Sequence, residues 1–168
     1  MDYRNLPALA AVAGAVLLTS ACSEVGPPVL TVYADGETIT VEPSQYCDVQ
    51  VTSCEPGGGA QGSLQVRPGL PVQISVPGEV ADDPWLVNVQ SVAADGALLP
   101  VEQEVFTPGR AHAYTAQPAG PDARILVIEV QQIGVAFAAD GEGNPILDEA
   151  GNPQLVARGL WTLELQAG

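Results

Sequence analysis

Apolar and polar residues alternate one for one in segment after segment of this chain, a period that fits a β-strand with one wet face. Trp85-Leu86-Val87-Asn88-Val89-Gln90 puts Trp85, Val87 and Val89 on one side and Asn88 and Gln90 on the other. Leu64-Gln65-Val66, Val72-Gln73-Ile74-Ser75-Val76 and Trp161-Thr162-Leu163-Glu164-Leu165-Gln166 repeat the pattern. Such strands belong to antiparallel sheets that bury one face each against the other. No segment has helical periodicity, and Pro and Gly punctuate the chain at strand-length intervals. The expectation is an all-β domain: an immunoglobulin-like antiparallel β-sandwich of roughly seven or eight strands, with a small β-barrel as the alternative.

One register can be worked out in advance. If Asp35-Gly36 is a two-residue turn of the primed type, Val32 falls opposite Ile39 and Leu30 opposite Val41, while Thr31 faces Thr40 and Tyr33 faces Thr38. Apolar then meets apolar and polar meets polar, with Tyr33 on the wet face as a candidate contact residue. The same arithmetic at Asp95-Gly96 sets Val89 against Glu102, which predicts a bulge or a longer loop there. Ile125-Leu126-Val127-Ile128-Glu129-Val130 reads as a central strand, prolonged through Val135-Ala136-Phe137 past a kink at Gly134. Trp85 and Trp161 belong to the core by their alternation.

The amino-terminal segment carries the address. Leu6 to Leu18 is apolar and uncharged, and as a helix it would extend about 20 Å, short of a hydrocarbon core of about 30 Å. It reads as a secretory signal peptide. Ser20 and Ala21 are small enough for a peptidase subsite, and the thiol of Cys22 is the nucleophile that takes a diacylglyceryl group. The stretch is similar to the lipobox of bacterial lipoproteins, with Thr19 where Leu most often stands. Ordinary cleavage after Ala21 would also leave the mature chain outside the cytoplasm. The expected organisation is a lipoprotein signal peptide over residues 1–21, lipidated Cys22 with a spacer over 22–28, and a β-sandwich domain over 29–168. The expected location is the extracytoplasmic face of the cell membrane, with the acyl chains as anchor.

The formal net charge is −15, and removing Asp2 and Arg4 with the signal leaves it unchanged. Such a surface repels nucleic acid and anionic headgroups, so the expected partners are the membrane through the N-terminal lipid and an envelope protein, with no nucleic acid. The sequence does not set the oligomeric state. With Cys22 lipidated, Cys47 and Cys54 remain as an even pair in an oxidising compartment and are expected to form a disulfide. Two thiols and the single His112 do not make a zinc or copper site, so no metal and no cofactor are expected.

Tyr46-Cys47-Asp48-Val49 with Cys54 following, Pro71-Val72-Gln73-Ile74-Ser75-Val76-Pro77, and Pro84-Trp85 resemble a family of actinobacterial envelope lipoproteins classified only as a domain of unknown function. The resemblance implies an extracytoplasmic, lipid-anchored domain and supplies no catalytic residue to carry over.

Catalysis has little to build on. His112 alternates onto the same strand face as Tyr114, where a hydrogen-bonded structural role is expected. Asp82-Asp83 beside Pro84 reads as a turn, and Glu102 and Glu104 are the other paired acids. No catalytic residues are expected, and the chain reads as a non-catalytic interaction or scaffolding module. The alternative is a ligand- or Ca²⁺-binding lipoprotein using the acidic loop 140–149, where Asp140, Glu142 and Asn144 present oxygen ligands at alternate positions, with Asp148 further on, in a stretch with two Gly-Asn-Pro turns eight residues apart. Pro145 stands where a calcium loop needs its sharp-turn Gly, and Gly151 replaces the closing Glu.

Overall fold

The computed structural model describes residues 26–57, 62–148 and 150–168; the segment read as a signal peptide and Cys22, the expected lipidation residue, lie outside them. In chain order the strands are β1 (Leu30–Ala34), β2 (Glu37–Val41), β3 (Gln45–Cys47), β4 (Cys54–Pro56), β5 (Gly62–Val66) and β6 (Val72–Ser75). After a single helical turn, α1 (Gly78–Ala81), come β7 (Trp85–Val92), β8 (Glu102–Phe106), β9 (Ala113–Ala116), β10 (Arg124–Phe137) and β11 (Leu155–Ala167).

These form two open sheets, a four-stranded one in the order β2-β1-β6-β9 and a seven-stranded one in the order β4-β3-β11-β10-β7-β8, with β5 paired to β11. The fold is the expected β-sandwich and not a closed barrel. Two features exceed the sequence reading. The strands number eleven among the described residues, because three-residue elements such as β3 and β4 are too short for alternation to be legible. One pair is parallel: β5 runs alongside Leu163–Ala167 of β11, while β3 takes Gly159 and Leu160 farther back. β11 is long enough to accept two partners on the edge that β10 leaves free.

The first hairpin holds the worked register at every pair, from Leu30↔Val41 to Tyr33↔Thr38. Asp35 and Gly36 both have positive φ, 49° and 85°, as a turn of the primed type requires. At the second hairpin the strands keep the plain register, Val89↔Glu102, and the irregularity is confined to the Val92↔Leu98 bridge beside the turn. Glu102 tolerates that place because β8 is an edge strand and its side chain stays exposed.

Val32 and Ile74 from the smaller sheet meet Val87, Ile128 and Leu163 from the larger one, all buried. Burial of each such side chain contributes roughly 1.5–3 kcal/mol. Trp85 and Trp161 are fully enclosed, at 0% and 1% exposure; Trp85 stacks on Phe106 with ring centroids 4.0 Å apart. The gap lined by Leu30, Val32, Ile74 and Trp161 is about 10 Å³, too small for anything larger than one water.

Gly159 lets the two aromatic rings at one end of this core close over β11. A Cβ there would lie 2.5 Å from the Trp161 ring and 3.0 Å from that of Tyr46. Gly159→Ala is expected to destabilise the fold by about 1–3 kcal/mol, read as a lower urea midpoint followed by Trp fluorescence; an unchanged midpoint would show that the rings can part freely.

Candidate functional site

Where residues 26–28 run onto the sandwich, the indole N–H of Trp161 donates to the carbonyl of Pro28 at 3.0 Å. Beside this contact opens a cleft of about 730 Å³, lined by Pro27, Pro28, Tyr46, Asp48, Glu55, Glu79 and Arg158 among others. One wall is the β3–β4 hairpin, closed by the expected Cys47–Cys54 disulfide between residues directly opposite in register. In its loop the carboxylate of Asp48 accepts from the Thr52 N–H at 2.8 Å and the Thr52 hydroxyl at 2.6 Å. The Thr52 side-chain hydrogen bond leads the effects that hold the Asp48 pKa below the usual carboxylate value. Val51 has φ 57°, a strained setting for a β-branched residue. It sits over Gly134, where a Cβ would come within 2.6 Å of the Val51 methyl. The glycine read as a kink is thus the seat on which the disulfide hairpin rests.

Arg158 forms the floor. Its Nε donates to the Cys47 carbonyl at 3.1 Å, a terminal nitrogen donates to Asp83 at 3.2 Å, and its guanidinium lies 5.0 Å from the centre of the Tyr46 ring. Burial raises the Tyr46 pKa. Asp83 also accepts from the Gln132 amide at 2.8 Å, and the same nitrogen donates to the Glu79 carbonyl at 2.7 Å. Gln132 is completely buried. Its Oε1 and the Nε1 of Trp85 have no hydrogen-bond partner, and the two residues face each other across β10 and β7. A polar line therefore runs from the core through Asp83 to Arg158 at the cleft surface.

Two of the polar groups at this cleft are held by their neighbours. Arg158 is committed to Asp83 and Cys47, and Asp48 to Thr52, while the carboxylates of Glu55 and Glu79 give the opening an acidic cast. Among the described residues no group of three or more His, Cys, Asp or Glu is arranged to hold a metal ion.

Apart from Cys47 and Cys54, the described residues singled out in the sequence as candidate sites lie elsewhere. Asp140, Glu142, Asn144 and Asp148 stand on an arm in which β10 and β11 continue past the sandwich. Asp140 Oδ1 accepts from the N–H groups of Glu142 and Asn144, each at 2.9 Å, and Asp148 Oδ1 repeats this with Ala150 and Asn152 at 2.9 and 2.8 Å. Asp140 and Asn144 are brought together, Glu142 contributes its backbone N–H, and Asp148 belongs to the second turn. A ring of backbone bonds ties the arm: Ala138 N–H to Gln154, Ile146 N–H to Ala138, and Gln154 N–H to Ile146. His112 is exposed just ahead of β9, where its backbone carbonyl accepts from Val76, in place of the expected side-chain role. Glu102 and Glu104 are exposed on the edge strand and, after burial, add to the raised pKa of Tyr114. Tyr33 is half exposed beside its threonines.

Sequence reasoning did not find Arg158, Gln132 and Glu79, which come from three distant segments. The signals were weak: an Arg in the alternation of β11, and a Gln at an inward position of the central strand.

Two outcomes follow. Asp83→Ala is expected to cost about 1–3 kcal/mol, chiefly through the buried Gln132 amide; the Asp83 side chain is 43% exposed, so added salt should change that loss little. A loss abolished by salt would make the ion pair the stabilising contact instead. In the arm, hydrogen bonds from the Asn144 and Asn152 backbones lead the effects that lower the Asp140 and Asp148 pKa values. The turns should therefore stay intact down to about pH 4 and loosen only as pH falls through those depressed values. The amide NMR shifts of Asn144 and Asn152 report this, and movement centred above about pH 4 would contradict it.

The family described as "Protein of unknown function (DUF2771)" matches residues 24–149. No curated protein matches the chain. The chain belongs to that family.

Proposed function

We propose that this DUF2771-family protein is a lipid-anchored β-sandwich on the extracytoplasmic face of the cell membrane, acting as a non-catalytic interaction module of the cell envelope. The observation that carries the reading is the cleft beside residues 26–28, at the end of the domain next to the proposed tether. A molecule held there would sit near the membrane surface, six residues from Cys22 at Pro28. The Cys47–Cys54 bond supports an oxidising compartment. The net charge of −15 opposes adsorption to anionic headgroups, so residence at the membrane calls for acyl chains. Asp48 is held by Thr52, and Arg158 by Asp83 and the Cys47 carbonyl, which favours holding a shape over moving protons.

The wild-type chain should pellet with membranes, resist extraction by high salt and dissolve in detergent. Cys22→Ser should move it out of the membrane fraction. A Cys22→Ser chain that still needs detergent would sink the anchoring half of the reading, and free Cys47 or Cys54 thiols without reductant would sink the other half.

A further inference from the structure

Three pairings shape the arm: Phe137 with Leu155, Ala139 with Pro145, and Leu147 with Pro153. Residues opposite each other across an antiparallel pair lie on one side, as do residues two apart along a strand. Phe137, Ala139, Pro145, Leu147, Pro153 and Leu155 therefore share one face, and all six are exposed. Phe137, Leu147 and Leu155 are 54%, 52% and 54% accessible. Six apolar residues exposed on one face mark a contact surface. The ring of backbone bonds and the two Asp-capped turns hold it in shape before any partner arrives, which lowers the entropic cost of docking.

Charge selects the occupant. Asp140, Glu142 and Asp148 stand on the turns that bound this face, and no Lys or Arg occurs between Arg124 and Arg158. A second copy would bring acid against acid in a chain already at −15, and an anionic bilayer surface would be repelled in the same way. The complement is apolar in the middle and basic at the edge. We propose that the arm docks into an apolar groove of a partner protein whose rim carries Lys and Arg. This deepens the reading of an interaction module and is independent of the lipid anchor.

The test uses two synthetic strand peptides, one alternating Leu with Arg and one alternating Leu with Glu, titrated by fluorescence anisotropy against the purified full-length chain. The Leu–Arg peptide should bind, and the Leu–Glu peptide should bind at least about tenfold more weakly. Phe137→Ser/Leu147→Ser keeps the charge and, at exposed positions, should keep the melting temperature; it should weaken Leu–Arg binding by about tenfold or more. Glu142→Gln should weaken it roughly two- to threefold, and Leu98→Ser, exposed but off the arm, should leave it unchanged. Equal affinity in the double variant would overturn the proposal as attraction to net charge alone. So would self-association, or binding to phosphatidylcholine vesicles, that the double variant abolishes. Because binding is read on purified protein, failure here is separable from failure of the anchoring experiment.

Discussion

The pairing of β10 with β11 is the constraint on which the rest depends. Their inner halves present Ile128, Val130, Trp161 and Leu163 to the smaller sheet, and so supply the centre of the core. Beyond the register shifts after Gln132 the same two strands leave the sandwich and become the arm. The cleft hangs from this ribbon too, since Arg158 and Gln132 project from it. One long hairpin thus couples packing, polar cleft and exposed apolar face.

At the junction, a buried Gln132 and the Asp83–Arg158 pair replace apolar packing. Interior polar groups cost free energy unless matched, and this group is matched on one side only, with Gln132 Oε1 and Trp85 Nε1 left over. The arrangement fixes the relation between α1, the disulfide hairpin and β10, which greasy contacts alone would specify less sharply.

What was legible in the sequence was what depends on neighbours along the chain. Alternation gave Trp85, Val87 and Trp161 their inward faces, and Asp35-Gly36 set its register because a two-residue turn leaves no freedom. The disulfide followed from counting cysteines. Contacts that join distant segments left little local trace. Nothing near Arg158 announces Cys47, and nothing in Gly62–Val66 announces a parallel seat on β11. At Val89 and Glu102 an apolar residue opposite an acid looked like a conflict, but the edge position of β8 removes it. In the acidic loop the oxygens are visible in the sequence, but their use by backbone N–H groups two and four residues on emerges only in three dimensions.

The ring of hydrogen bonds in the arm closes on its third member. Ala138, Ile146 and Gln154 each donate once and accept once, so the cycle has neither a free donor nor a free acceptor at these places. A third octapeptide spliced between Asn144 and Asn152 would bring a fourth member that finds no vacant position and has to bulge outward as a loop, while excision of one octapeptide would open the ring. The two Gly-Asn-Pro segments are therefore corners of a finished triangle, not the start of a solenoid, and the arm's length is fixed by closure of that figure.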